Sequence, residues 1–402
     1  MSERTPRLLR VALDGRALQP DFPLDADRGI GLYARELLRA LAQRNDLVIT
    51  LWVDPGHAVP EGIVPPGVRL QRFPPTLIPM ADRLASNVTL PWIAGRQRHD
   101  VFHWLTHAHA PAFPPSGSVI TVHDLIHEQH AELYPGHRSA GFRTARRLES
   151  MAIRGAGMLV TMSRTIADDL QRLHQVEPDR VQVTSPGISA RFAPVSPAEV
   201  AGVCKHHELD APFILYRGGY DARADVLLLI DAFARLRRRR KKPVLLVLAG
   251  DLTHAPMREA ILARAEEHRL GRSLRMIGAI PHEHLPRLLT AARVFAFPSR
   301  AEGFGFPPLE AMACGTPVVS TTGGALAEVL GEAAFDVCEA VVKASWCLSL
   351  IASRIMGNQS SPNCGLLEAL CSTRVQMSLS TAMLLVANAF ASSGFIPLRT
   401  VA

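Results

Sequence analysis

Cysteine is scarce in this chain, six among 402 residues with no two spaced as CxxC. A disulfide scaffold and a cysteine-held zinc site are both excluded as expectations, and a reducing cytoplasm fits. The opening stretch Met1 to Pro6 lacks the apolar run of a signal peptide, so no secretion signal is read there. No HExxH ligand set accompanies His103, His107, His109, His123, His127 and His130, although these six lie close together in sequence. Spacing alone gives them no metal to hold. Charge is also missing from one region. The last 65 residues carry six charged side chains, against 75 in the preceding 337, with four of the six cysteines and ten serines. Between Arg374 and Arg399 lie 24 uncharged residues. That is long enough in principle to span a bilayer, but Gln376, Asn388 and several Ser and Thr interrupt it, which argues against a membrane helix.

What is present describes a globular α/β protein. The chain exceeds the roughly 250 to 300 residues at which one core stops growing, so two domains are expected. Nearly half the residues are apolar and a fifth are charged, which excludes a disordered chain. The formal charge of +7 raises the question of a nucleic-acid or membrane partner. Much of that charge is one run, Arg235 and Arg237 to Lys242, at the expected C-terminal end of a helix, where cations complement the helix dipole. A second reading of this run is contact with anionic lipid. Nucleic acid is not expected.

Leu8 to Leu13 form an apolar run ending at Asp14-Gly15. A loop containing Gly29 and Gly31 follows, and then the periodic segment Leu32 to Ala42, giving strand, glycine loop and helix. Val48 to Val53, Asp100 to Trp104, Ser118 to Val122, Gly157 to Met162 and Val181 to Thr184 read as further buried strands. Turn residues from Pro186-Gly187 to Pro194-Val195-Ser196-Pro197 place a hinge. A second series begins at Phe213 to Tyr216 and runs through helix Val226 to Arg240, strand Val244 to Ala249, helix Pro256 to Glu267, strand Arg275 to Ile277, helix Leu285 to Ala291 and strand Val294 to Phe297. It closes with helix Pro308 to Cys314 and strand Thr316 to Ser320. Continuous apolar strands alternating with helices predict two doubly wound parallel sheets, over residues 1–190 and 191–337, with 338–402 as an atypical tail.

The segment from Phe297 to Ser320 carries the chemistry. A strand ends at Phe297, a loop with Gly303 and Gly305 follows, and Pro308 is expected at the first helical position, where its missing N–H costs nothing. A helix N-terminus offers unpaired N–H groups and a positive dipole end to a diphosphate, and glycines let backbone approach it closely. Glu302 and Glu310, eight residues apart, can address two parts of one extended ligand, since a carboxylate accepts two hydrogen bonds from a diol.

This segment, with its Gly-Phe-Gly loop and Glu-Ala-Met-Ala-Cys-Gly-Thr-Pro-Val-Val continuation, resembles the E-x7-E signature of family 4 glycosyltransferases. Arg28-Gly-Ile-Gly-Leu-Tyr33, Thr121-Val-His-Asp-Leu125, Thr161-Met-Ser163, Ser185-Pro-Gly-Ile188 and Gly278 to Leu289 resemble the same family's framework. The resemblance implies a GT-B fold, two Rossmann-like domains facing a cleft that closes on its substrates. It implies a retaining transfer of a hexose, mannosyl-type with GDP, from a nucleotide diphosphate sugar to a glycan or lipid-linked acceptor in bacterial polysaccharide biosynthesis. It places His123, Glu302 and Arg223 at the reacting centre. Gly29, Gly31, Gly218, Gly219, Gly303, Phe304, Gly305, Phe306 and Glu310 are placed on the donor, with Glu310 on the ribose. Metal and other cofactors are not implied, because such enzymes use helix dipole and basic residues in place of an ion. Asp-x-Asp occurs once, as Asp25-Ala-Asp27 in an expected loop. The implied location is the cytoplasm, with peripheral membrane contact.

One departure stands out. Where the family commonly has Gly-Gly-x-x-Pro-Arg-Lys-Asn, this chain reads Gly218-Gly-Tyr-Asp-Ala-Arg-Ala-Asp225. Arg223 is kept and Ala224 replaces the lysine, so one charge-assisted phosphate contact is lost, and Ala224→Lys is expected to raise kcat/KM for the donor. The depleted tail reads as other than the family's own C-terminus, through a change of reading frame after residue 337. Two other readings therefore stay open. One is a catalytically impaired or non-catalytic nucleotide-sugar-binding remnant, and the other is a sugar-nucleotide epimerase of the same architecture.

Overall fold

The computed structural model describes residues 7–20, 29–74, 99–134, 139–252 and 255–336. The expectations for Asp25-Ala-Asp27, Arg28, the 338–402 tail and the run between Arg374 and Arg399 lie outside the described residues. Two compact units make up the chain. Among the described residues, unit 1 takes the sequence to Leu125 and, after Ile126–Tyr134, onward to Gly187, while unit 2 combines Ile126–Tyr134 with residues 188–336.

Unit 1 is a seven-stranded sheet built from β1 (Leu9–Asp14), β2 (Leu47–Val53), β3 (Arg69–Arg72), β4 (Val101–Trp104), β5 (Ser118–Val122), β6 (Met158–Thr161) and β7 (Val181–Val183). Their order is β3-β2-β1-β4-β5-β6-β7, and every pairing is parallel. The longer helices here are α1 (Gly29–Ala42), α2 (Ala140–Gly155) and α3 (Arg164–His174). Ser139 and Ser163 cap α2 and α3 by accepting from the third backbone N–H of each, the usual device for an orphan helix donor. β4 and β5 are buried throughout, and Phe102 stacks on Trp104 at 4.2 Å. The expected alternation is present, with two differences. Gly29 and Gly31 are the first and third residues of α1 rather than a loop. β3 was not anticipated because its sequence, Arg-Leu-Gln-Arg, is polar and wholly exposed, as an edge strand can be.

Unit 2 repeats the plan. Its strands are β8 (Phe213–Arg217), β9 (Leu245–Ala249), β10 (Leu274–Gly278), β11 (Val294–Phe297), β12 (Val318–Ser320) and β13 (Phe335–Asp336). They run in the order β10-β9-β8-β11-β12-β13, again all parallel. The helices are α4 (Pro197–His206), α5 (Val226–Arg239), α6 (Ala255–Glu267), α7 (Leu285–Ala291), α8 (Phe306–Ala313) and α9 (Leu326–Leu330). α4 opens with a full capping box, Ser196 and Glu199 bonding each other's backbone, and with a proline in its first turn. Leu215, Phe233, Leu246, Leu288 and Phe295 centre the core. Arg237 to Arg239 close the last turn of α5, where the basic run was expected.

Candidate functional site

In an open parallel sheet a ligand binds beyond the carboxyl ends of the strands, where the strand order reverses. In unit 2 that reversal lies between β8 and β11. The loops after Arg217 and after Phe297 border it, and these are the loops that the sequence singled out.

The loop after β11 enters α8 through Gly305, whose φ is +102°. That conformation favours glycine, and a Cβ there would in addition have to displace the end of Leu326, whose Cδ2 would lie 2.7 Å away. The helix begins at Phe306 rather than at the expected Pro308, which puts Pro307 and Pro308 at its second and third positions. Neither proline has an N–H. The full set of orphan donors expected at this helix opening is therefore reduced to the N–H of Phe306, with those of Phe304 and Gly305 just ahead of it. The positive end of the dipole remains. The Phe304 and Phe306 rings pack at 5.0 Å between centroids and steady this corner.

Glu310, the fifth residue of α8, is 2% exposed. Its carboxylate accepts a hydrogen bond from the Arg217 guanidinium at the end of β8, an ion pair that spans the reversal point. Burial pushes its pKa up, and the charges of Arg217 and Arg191 work against that push. A carboxylate so placed is a buried acid braced by arginine and is not a solvated surface acid.

Glu302 is fixed differently. Ser299 Oγ donates to its Oε1 at 2.8 Å, and Arg223 Nη1 lies 3.5 Å from Oε2. Arg223 also binds Asp221 at 3.0 Å, and its carbonyl accepts from the Arg300 N–H at 2.8 Å. Arg300 in turn pairs with Asp225 at 2.9 Å. The two loops are thus laced together, and Asp225 is engaged by a cation. A third loop, after β12, supports them. Thr321 donates to the Ser299 carbonyl, the Ala325 N–H to that of Glu302 at 2.8 Å, and Gly324, at φ +62°, leaves 2.4 Å between its hypothetical Cβ and the Glu302 oxygen. Gly218 and Gly219 follow β8, and the Gly219 carbonyl accepts from the Tyr216 hydroxyl.

Unit 2 therefore brings together Glu302, Arg223, Gly218, Gly219, Gly303, Phe304, Gly305, Phe306 and Glu310. Sequence reasoning missed Arg217, Ser299, Arg300, Thr321 and Gly324. The signal that was there to be read is Ser320-Thr-Thr-Gly-Gly324 after an expected strand. Ala224, which stands in place of the family's lysine, is 4% exposed within the hydrophobic core.

The remaining candidates, His123, Gly29 and Gly31, belong to unit 1. His123 follows β5 and is 5% exposed. Its Nε2 lies 2.7 Å from the Leu105 carbonyl. A carbonyl only accepts, so Nε2 carries the proton and, in the neutral ring, Nδ1 carries the lone pair. Burial lowers the His123 pKa, which favours that neutral form. The Tyr33 ring, on α1, packs perpendicular to the His123 ring with 5.1 Å between centroids. Nearby, His103 Nε2 and Thr121 Oγ1 are 2.8 Å apart, and burial drives the His103 pKa down to about 3. Among the described residues no helix is long and apolar enough to cross a membrane.

Comparison with known proteins agrees with this geometry. Residues 28–192 match the family described as Glycosyltransferase Family 4, and residues 205–344 match Glycosyl transferases group 1. O-antigen chain mannosyltransferase B of Escherichia coli is 31% identical over 218 residues, 54% of this chain and 56% of that protein. The chain thus spans little more than half the length of that relative. The D-inositol 3-phosphate glycosyltransferase of Xylanimonas cellulosilytica is 28% identical over 358 residues, 81% of this chain and 83% of the relative. Among solved structures, Anabaena HepE in complex with UDP and glucose superimposes with a TM-score of 0.71, at 17% identity, covering 96% of this chain and 100% of that one. This likeness bears on the fold, which is GT-B. With both halves matched in sequence and the E-x7-E loop seated at the reversal point of unit 2, the chain belongs to the group 1, family 4 glycosyltransferases.

Proposed function

We propose that this chain is a retaining glycosyltransferase. In this reading it moves a hexose, of mannosyl type, from a nucleoside diphosphate donor held by unit 2 to the hydroxyl of a glycan or lipid-linked acceptor in polysaccharide biosynthesis. The observation that carries the reading is the buried Glu310–Arg217 pair across the reversal point, beside a helix opened by a glycine at positive φ. Glu310 serves the ribose diol and Glu302 the donor sugar. Arg223 and the opening of α8 neutralise the diphosphate as the bond from the anomeric carbon to the phosphate oxygen breaks and its electron pair leaves with that oxygen. The acceptor oxygen attacks from the same face, and its proton passes to the departing phosphate. His123, neutral, offers Nδ1 as an acceptor toward a sugar hydroxyl. A mannosyl donor is supported by the names of several relatives, whereas a solved neighbour holds UDP and glucose. Both donors therefore belong in the assay.

The test is release of nucleoside diphosphate from GDP-mannose and from UDP-glucose, with and without glycan acceptors and without added Mg²⁺ or Mn²⁺. Acceptor-dependent release with the anomeric configuration kept supports the proposal. Conversion of the donor to an epimeric nucleotide sugar without acceptor and without net release of nucleoside diphosphate points to the epimerase reading, and donor binding with no turnover points to the impaired one, which Ala224 in place of a lysine favours. Peripheral membrane contact through the Arg235 to Lys242 run is part of the same proposal, and salt-sensitive sedimentation with anionic vesicles tests it.

A further inference from the structure

Away from the E-x7-E loop, His206 ends α4, His207 caps it, and His284 is the residue just before α7. One ring nitrogen from each lies within 4.8 Å of the other two. The rings stand nearly perpendicular, with centroids 4.8 Å apart for His206–His207 and His206–His284 and 5.6 Å for His207–His284. Edge-to-face packing of neutral rings alone would explain the angles. It does not explain His207 Nε2 and His284 Nδ1, which are buried without a hydrogen-bond partner. Buried polar atoms are seldom left in that state, and here two orphaned nitrogens belong to one cluster.

We propose that His206, His207 and His284 form a binding site for a late first-row divalent cation, zinc in the first place, that clamps α4 to α7. Imidazole nitrogens are the donors such ions prefer. Tetrahedral zinc with bonds of about 2.0 to 2.1 Å sets its ligands about 3.3 Å apart, so small ring rotations convert the present spacing into a coordinating one. His206 is exposed, which gives the ion a path inward and leaves the fourth position to water. The carbonyl end of α4 is the negative pole of its helix, which favours a cation there. Lys205, Glu208, His282, Glu283 and Arg287 flank the three histidines in sequence, and Arg287 already ties α7 to Glu199 of α4 at 3.5 Å. The two helices are held side by side before any ion arrives. α7 also anchors the donor helix's exit, since Thr316 donates to the Leu289 carbonyl at 2.5 Å. The clamp would therefore stiffen the support of the site without entering its chemistry, and it stands independently of the donor assignment.

The experiment is calorimetric titration of the full chain, stripped with a chelator, with ZnCl₂ and separately with MgCl₂, together with thermal melts and Co²⁺ absorption spectra. The expected result is one zinc per chain, a raised Tm, a tetrahedral Co²⁺ spectrum and no response to Mg²⁺. His284→Gln weakens zinc binding by roughly tenfold or more, and His207→Ala/His284→Ala abolishes the Co²⁺ spectrum, while His130→Ala, a half-buried residue outside the cluster, leaves both unchanged. Failure of the natural chain to bind zinc overturns the proposal, as does unchanged affinity in either cluster variant. If circular dichroism shows the double variant unfolded, His284→Gln alone decides.

Discussion

The two sheets repeat one strand order, yet the loops at their reversal points treat charge in opposite ways. In unit 1, Asp14 and Arg16 close on each other through two bonds of 2.8 Å, and the Arg16 guanidinium spends a further donor on the His109 carbonyl at 2.8 Å. The histidines beside them are held neutral by burial. In unit 2 the arginines bind carboxylates too, but the side chains of Arg217 and Arg223 keep 28% and 27% exposure, against 8% for Arg16. One scaffold has sealed its charges into the fold. The other holds them oriented and within reach of a ligand, which is the preorganisation that an anionic leaving group requires.

Paired substitutions can break this contrast. Glu310→Gln keeps the shape of the side chain but leaves Arg217 without its anion, and kcat/KM for the donor is expected to fall on the order of 100-fold, the scale of losing one oriented electrostatic contact. Asp14→Asn leaves Arg16 buried and uncompensated, at a cost of about 3 to 5 kcal/mol of stability, with donor Kd on the folded protein unchanged. Thermal melts and donor titrations on both variants check this. An Asp14→Asn protein that loses donor affinity but not stability erases the distinction.

The histidines give the contrast a pH axis. His103 and His123 have folded-state pKa values below the ordinary 6.5. As pH falls below about 6.5 the unfolded chain takes up protons that the folded unit 1 refuses, and stability drains away toward the folded value, about 3 for His103. Glu310 has the opposite sign. Its pKa is raised, so its protonated form suits the burial, and its cost appears only as pH rises through the folded value. Acid should therefore loosen unit 1 first, read by fluorescence of Trp52 and Trp104, both buried there. His103→Gln should move the acid midpoint down by roughly 1 pH unit; an unmoved midpoint says that other groups govern acid unfolding.

How much of this was open to inspection in the chain depended on whether the signal was local. β9, Leu-Leu-Val-Leu-Ala, is buried at every residue and reads as a core strand without help, and Glu302 with Glu310 stand out because their loop and helix are contiguous. The opening of α8 was misjudged because a helix tolerates proline anywhere in its first turn, so Pro307 and Pro308 did not fix which residue came first. Arg217 was invisible for another reason. A polar residue ending a strand carries no mark of the partner it meets 93 positions later. His206, His207 and His284 went unremarked alike, since only the packing of α4 on α7 makes them neighbours.

Two smaller changes sharpen the picture of unit 2. Gly305→Ala forces an L-residue to φ +102° against Leu326 and should cost about 1 to 3 kcal/mol, seen as a lower Tm with weakened donor binding. Ala224→Lys has the smallest expected effect because two consequences oppose each other. The ammonium restores a phosphate contact, but its stem must leave a position that is 4% exposed in the core, and overpacking there costs about 1 to 3 kcal/mol. Asp225 does not capture the new cation, being paired with Arg300 already. The expected result is a gain of roughly threefold to tenfold in donor kcat/KM, less than a full charge-assisted contact provides, together with a lower Tm. An unchanged kcat/KM means that Arg223 and the opening of α8 hold the diphosphate without a second cation, and the departure from the family's Arg-Lys pair is then a different solution, not a loss.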